Sequence, residues 1–346
     1  MLFALRRPSP SPPWISTLTF ALVLGCLAQS PALAEPVRLS APVFETVAEI
    51  EIRNLPREEA EVAIRAALGE IWALDQLILA EPTVAGGLAG IGTGGGEGLD
   101  PRLSGLLLGG LRYCFWSNGA HGPLGGAVYD LWAAAGANGT PHPIDLREAV
   151  ADADCSRLGV KGDGNRPETL RFELGEGTRP LPIGSARGYA VDRAVAILEE
   201  HGATNAWVEI GPVVRALGSG PEGQGWLYAL PRAPGEREPL DEVWLRDMAV
   251  AVVDDQPVYG DVVPWIDLRT GVPGRGVLMV AVAANAAFDA EVLAATLYVT
   301  GMREGLRRLG SLDPRPSVYW LLGQGAGQPL ESTYRWSELP RLKRRR

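Results

Sequence analysis

The sequence predicts an α+β protein that folds as a single domain behind a cleaved N-terminal export signal. Three observations lead to this class. Strand and helix patterns are mixed along the chain without strict βαβ alternation. No internal repeat or linker divides the 346 residues, and residues 1–34 have the composition of a leader. The folded domain is therefore expected over residues 35–340, with a basic tail at 341–346.

The composition excludes a broad nucleic-acid-binding surface. Apolar residues make up 46% of the chain and charged residues 21%, as in ordinary globular proteins. The formal net charge is −9, and an acidic protein does not attract polyphosphate backbones or anionic lipid. The basic residues of the 341–346 tail are the exception, and they indicate either a solvated chain end or a small binding patch.

The first 34 residues have the three parts of an export signal. A pair of arginines forms the positive region, residues 15–28 form an apolar run, and Ala32-Leu33-Ala34 forms a small-residue cleavage site. A second interpretation takes the segment ending at Cys26 as a lipoprotein box, which leaves a lipid anchor on that cysteine. Both interpretations place the protein in the periplasm, with a lipid as its one expected membrane attachment.

Periodicity then assigns the elements in chain order. Alternation of apolar residues predicts strands at 44–53, 206–210, 213–217, 226–230, 248–253 and 277–282. Apolar positions repeating every three to four residues predict helices at 56–78, 102–114, 187–201 and 289–309. Pro56 suits the start of the first helix and Gly202 the end of the third.

Two features between these elements leave alternatives open. Outside the leader the chain has two cysteines, Cys114 and Cys155, which either pair in an oxidising compartment or stay as buried thiols. The glycine-rich segment 92–98 suggests a phosphate loop, but it lacks the Gly-Lys-Ser/Thr ending of that motif. A connector is the expected role of this segment.

The most informative block lies at residues 183–194, where a loop enters a helix. Small residues and Arg187 occur there together. Backbone N–H groups at a helix start, together with a guanidinium group, can hold a diphosphate. The alternative is a purely structural helix cap.

This block resembles part of the FAD:protein FMN transferase (ApbE-type) family. The family pattern Gly-Gly-Ile-Ala-Lys-Gly-Tyr-Ala-Val-Asp matches at Ala186 and at residues 188–192, with Arg187 in place of the lysine. Further family motifs are matched in order by segments 44–46, 117–123, 207–218, 265–271 and 289–301. The resemblance covers nearly everything after residue 40 and implies an ApbE-like, T-fold-related domain.

The resemblance implies a specific chemistry. Members of this family bind FAD, break its pyrophosphate with the help of Mg²⁺, and attach FMN to a Ser or Thr hydroxyl of an exported or membrane-bound redox protein. FAD, Mg²⁺ and such a target protein are therefore the implied partners. The flavin-binding positions that it implies are Phe44, Ala120, His121, Gly122, Ala186, Arg187, Tyr189 and Thr270. It places Mg²⁺ on the backbone carbonyl of Ala186 and on the carboxylate of Glu291.

Several positions depart from the family pattern. Ala295 stands where the family has a metal-binding threonine, and Pro264 stands where it has a base-like histidine. His121 and Asp267 remain as candidate catalytic groups, and the tryptophans, Trp265 among them, are expected to pack in the core. The sequence therefore predicts a divergent FMN transferase, with a catalytically impaired flavin-binding or scaffold protein of the same fold as the alternative.

One spatial expectation underlies all of these assignments. The loop and helix start at 186–192 should face the late helix around Glu291, with a diphosphate-sized gap between them.

Overall fold

A computed structural model describes residues 35–79, 87–88, 91, 99–163, 169–182, 184–232, 238–258, 263–324 and 328–342. The leader and the glycine-rich segment 92–98 lie outside these residues. All of the described residues fall in one compact unit. Among them, no helix combines the length and the apolar character needed to cross a bilayer.

The described elements alternate between strands and helices without a regular order. The strands are β1 (Val37–Val43), β2 (Thr46–Ile52), β3 (Leu158–Lys161), β4 (Arg171–Leu174), β5 (Ala206–Ile210), β6 (Val213–Leu217), β7 (Trp226–Leu230), β8 (Asp241–Leu245), β9 (Met248–Asp254), β10 (Ile266–Asp267), β11 (Val272–Pro273), β12 (Val277–Ala284), β13 (Ser317–Leu322) and β14 (Leu330–Tyr334). The helices are α1 (Arg57–Leu79), α2 (Arg102–Trp116), α3 (Gly126–Ala135), α4 (Pro143–Asp152), α5 (Ala186–Glu200) and α6 (Ala287–Leu309).

Eight of the strands form one antiparallel sheet in the order β1-β2-β5-β6-β9-β12-β13-β14. One face of this sheet packs against α1, α5 and α6 and forms the main core. The β7–β8 hairpin and the buried Trp336 cover part of the other face. Strand β5 shows why the core forms on one face of the sheet. Its alternate residues Ala206, Val208 and Ile210 are fully buried, while the residues between them are half-buried.

The predicted strands at 206–210, 213–217 and 226–230 are confirmed at both ends, and the predicted helices differ from α1, α2, α5 and α6 by one or two residues at their ends. The predicted strand at 44–53 is wrong at its start. Phe44 and Glu45 form the two-residue turn between β1 and β2, with φ angles of 48° and 58°. Positive φ at both central residues is typical of the type I′ turn that reverses a hairpin in two residues, so this pair does not belong to a strand.

Arg341, near the end of the described residues, contacts the β7–β8 hairpin. Arg341 forms an ion pair of 3.1 Å with Asp241 and an isolated bridge with Val243. The first residue of the predicted basic tail is therefore attached to the domain through β8.

Candidate functional site

The tip of the first hairpin connects two helices. Phe44 is buried, and its backbone N–H donates a 3.0 Å hydrogen bond to the carboxylate of Asp75 on α1. Its carbonyl accepts a 3.3 Å hydrogen bond from Nη2 of Arg187 at the start of α5. The turn that matches the first family motif therefore lies against the loop-to-helix block.

The start of α5 lies directly against α6, so the predicted facing of these two segments is confirmed. The N–H of Gly188 donates a 2.7 Å hydrogen bond to Oε2 of Glu291. Asp192 accepts hydrogen bonds of 2.9 Å from the N–H groups of Ala287 and Phe288, so it caps α6. The predicted diphosphate-sized gap is absent at Gly188, because a single hydrogen bond spans the two segments there.

Burial raises the pKa of both acids at this contact. Glu291 is 5% exposed, and burial raises its pKa to about 7, while the Gly188 N–H and the charge of Arg187 act in the opposite direction. Burial also raises the pKa of Asp192, and its ion pair with Arg215 opposes that rise. With its pKa raised to about 7, the Glu291 carboxyl gains or loses its proton near neutral pH.

Next to this contact, the loop before α5 is packed closely from two sides. Gly184 has a φ of 69°, and a Cβ at this position would lie 2.8 Å from Cβ of Ala295 and 2.8 Å from Cζ3 of Trp265. Such distances are too short for real atoms, so glycine is required here for both its conformation and its size. We call the group formed by Gly184, Ala186, Arg187, Gly188, Glu291, Ala295, Trp265 and Phe44 the α5 junction.

The predicted flavin-contact turn approaches the α5 junction through an aromatic pair. His121 is 3% exposed, and its ring centroid lies 6.3 Å from that of Trp265. The neighbouring carbonyl of Ala120 accepts a 3.0 Å hydrogen bond from the N–H of Leu268. A backbone contact therefore holds the turn to the segment that follows Trp265 and contains β10.

A disulfide supports the same turn from behind. Cys114 and Cys155 are bonded, which resolves the alternative left open by the sequence. A Cβ on Gly122 would lie 2.6 Å from Sγ of Cys114. The disulfide thus packs directly against the turn that carries His121 and Gly122.

Two predicted site residues have structural partners. Asp267 is buried, and both of its carboxylate oxygens accept hydrogen bonds from the guanidinium of Arg269, at 2.9 Å and 2.6 Å. Its backbone carbonyl accepts a hydrogen bond from the backbone N–H of the exposed Thr270. Tyr189 donates from its hydroxyl to the carbonyl of Arg102 on α2, so it faces α2 and not Trp265. Asp267 and Tyr189 therefore stabilise the surroundings of the junction in this structure.

The residues present do not fit a divalent cation. Of the implied ligands, the Ala186 carbonyl and the Glu291 carboxylate remain, and Ala295 has no oxygen in its side chain. Across the described ranges, no three His, Cys, Asp or Glu side chains come together as a metal-binding group. Mg²⁺ needs near-octahedral oxygen coordination; here Glu291 is already bonded to the Gly188 N–H, and the Ala295 position is packed against Gly184 beside Trp265.

Sequence reasoning missed the positions of Trp265, Asp75 and Gly184. Trp265 was expected to pack in the core, and it is buried. The structure shows in addition that the edge of its indole ring packs against the loop at Gly184. Its place within the segment matched to a family motif was the one signal that marked it. Asp75 had no such signal, because its role depends on a backbone N–H that lies 31 residues away in the sequence.

The fold and the junction together define a class of protein. It is an α+β protein in which an antiparallel sheet supports a helix start that carries an arginine and faces a buried carboxylate. Residues 89–320 match the model of the ApbE family. The chain belongs to this family.

Individual proteins agree with this assignment. An FAD:protein FMN transferase of Treponema pallidum is 26% identical over 298 residues, covering 78% of this chain and 81% of the relative. One of Haemophilus influenzae is 33% identical over 129 residues, which span 35% of this chain and 37% of the relative. The flavin transferase ApbE of Vibrio cholerae has the same fold, with a TM-score of 0.71 at 21% identity over 87% of this chain and 97% of that one.

Proposed function

We propose that this protein binds FAD at the α5 junction and transfers FMN from it to a Ser or Thr hydroxyl of a partner protein. The observation that carries the proposal is the meeting of the motif segments. The Phe44 turn, the start of α5, the segment of Trp265 and α6 are distant in sequence, yet they contact one another in one place. The names of the relatives from T. pallidum and H. influenzae support the same activity.

The residues of the junction suit a diphosphate. Arg187 supplies a permanent positive charge, and the start of α5, where Glu291 already accepts the Gly188 N–H, supplies the positive end of a helix dipole. In the proposed reaction the acceptor hydroxyl oxygen bonds to the FMN phosphorus, the pyrophosphate P–O bond breaks, and AMP leaves with the bonding electron pair. The hydroxyl proton is released, and AMP can take it up. His121 and Asp267 stay predictions as catalytic groups.

Magnesium is not part of this proposal. The resemblance implies Mg²⁺ assistance, but Ala295 and Pro264 remove two of the groups on which that chemistry depends. In this proposal, Arg187 and the start of α5 alone balance the negative charge of the diphosphate.

We further propose that the protein acts outside the cytoplasm on an exported redox protein. The leader-like composition of residues 1–34 supports export. The Cys114–Cys155 disulfide is consistent with an oxidising compartment.

Transfer is tested by incubating the purified protein with FAD and an exported flavoprotein domain that carries an acceptor threonine. We expect a fluorescent acceptor that survives denaturing gel electrophoresis, and one AMP released for each flavin attached. Arg187→Gln should lower FAD affinity by about tenfold or more, since a hydrogen bond to a charged group contributes about 1.5–3 kcal/mol. Arg187→Lys, which keeps the charge, is the matched control.

The alternatives give different results in the same assay. FAD binding without AMP release from any of several acceptors would select the flavin-binding protein without transfer activity. Absence of FAD binding would leave a scaffold protein of the same fold.

A further inference from the structure

The position of the third implied metal ligand is filled by apolar contacts. Ala295 is fully buried on α6, and its methyl group packs against the backbone of Gly184. The edge of the Trp265 indole packs against the same glycine, and this tryptophan is 7% exposed. A loop backbone, a methyl group and an indole edge therefore meet where the family pattern places an oxygen ligand.

The remaining carboxylate is already used between the helices. Oε2 of Glu291 accepts the Gly188 N–H at 2.7 Å. Gly188 is itself pressed against α6, because a Cβ there would lie 2.4 Å from the carbonyl oxygen of Ala287. The two helices are thus in close contact on this side as well, and Glu291 links them.

A neighbouring hydroxyl does not replace the missing ligand. Thr296 follows Ala295 on α6, but one residue turns a helix by about 100°, so its side chain leaves a different face. Its Oγ1 is buried and has no hydrogen-bond partner. A magnesium ion needs oxygen ligands at about 2.0–2.1 Å and keeps several waters. The apolar surfaces around Gly184 supply neither.

We propose that Trp265 and Ala295 close the divalent-cation position, so that this protein binds flavin diphosphate independently of divalent metal. The choice of flavin diphosphate as the ligand rests on the proposed function. The closure of the cation position by Trp265 and Ala295 rests on their packing alone. Arg187 then carries the positive charge that a metal ion supplies elsewhere in such chemistry. The indole ring at residue 265 and the methyl group at residue 295 determine this property together.

Two measurements separate the closure from the proposed function. The first titrates Mn²⁺ into EDTA-treated protein without FAD and follows free Mn²⁺ by electron paramagnetic resonance. The second titrates FAD calorimetrically, once with Mg²⁺ and once with EDTA. The double variant Trp265→Ile/Ala295→Thr restores space and a hydroxyl. Trp72→Ile, at a tryptophan that is 58% exposed, is the matched control.

We expect no saturable Mn²⁺ site in the wild type or in Trp72→Ile, and at least a tenfold gain in Mn²⁺ affinity in the double variant, about 1.4 kcal/mol. FAD affinity of the wild type should agree within about twofold in the two buffers. A saturable Mn²⁺ site in the wild type, or FAD binding that is tenfold tighter with Mg²⁺, would overturn the inference. A double variant without any gain would also contradict it, because Trp265 and Ala295 would then not be the cause.

The proposed function fails in a different way. If FAD binds in neither buffer while Mn²⁺ still finds no site, FAD recognition is wrong and the closed cation position stands.

Discussion

The disulfide between Cys114 and Cys155 should contribute strongly to stability. The two cysteines are 41 residues apart. In the chain-entropy relation, closing a loop of that length lowers the entropy of the unfolded chain by about 13 cal/mol/K, which is about 4 kcal/mol at 25 °C. This is a large share of the 5–15 kcal/mol that is typical of folded domains. Reduction should therefore lower the free energy of unfolding by several kcal/mol.

The assay is urea unfolding followed by tryptophan fluorescence, with and without a phosphine reductant. The double variant Cys114→Ala/Cys155→Ala, studied without reductant, tests the same loss by another route. Adding reductant to this variant is the control for effects of the reagent itself. A difference below about 1 kcal/mol between oxidised and reduced protein would refute the reasoning. Two titratable thiols in the native protein purified without reductant would refute it as well.

Three further predictions concern single positions. Glu45→Gly should raise stability by about 1 kcal/mol, because Glu45 has a φ of 58°, which glycine adopts without strain. Glu45→Ala keeps the strain and should give no such gain. Equal melting temperatures for the two variants would contradict this prediction. Glu291→Gln should stabilise the protein by about 3 kcal/mol at pH 8. Because its pKa is raised, Glu291 contributes fully to stability below about pH 4.5, and this contribution is lost as the pH rises through about 7. If the difference in unfolding free energy between variant and wild type is the same at pH 5 and pH 8, the raised pKa is wrong. Asp192→Ala should cost about 3 kcal/mol, because it leaves Arg215 unpaired and uncaps α6. Arg57→Ala, in an exposed ion pair, should cost less than about 1 kcal/mol and is its control in the same chemical denaturation experiment.

The main sheet and the helices packed on it were largely predictable from the sequence. Strands such as β5 and β9 and helices such as α1 and α6 have strong apolar periodicity, because they contribute to the large core. Strands β1 and β13 of the main sheet were missed although β13 is apolar and buried, and other missed elements have weaker patterns. Edge strand β14 is mostly exposed, α3 begins among glycines, and the short β3–β4 pair lies outside the main sheet. Their positions are set by tertiary contacts.

The candidate site was predictable as segments and not as contacts. The motif order indicated that the 186–192 segment and the helix of Glu291 belong to one site, and the structure brings them together. The closure at Gly184 was not predictable, because it depends on how Trp265 and Ala295 approach a glycine from two different elements. Likewise, no local pattern shows that the Gly188 N–H binds Glu291 across 103 residues.

Hydrogen–deuterium exchange with and without FAD tests most directly whether flavin binds at the α5 junction. The account predicts that saturating FAD slows amide exchange at residues 184–188, in the 117–122 turn and around Trp265. The exposed helix α4 should be unchanged. The structure also has a groove of about 440 Å³ between the end of α2 and residues 311–317, lined by Arg112 and Arg315. Protection confined to that groove, with the junction unaffected, would contradict the account.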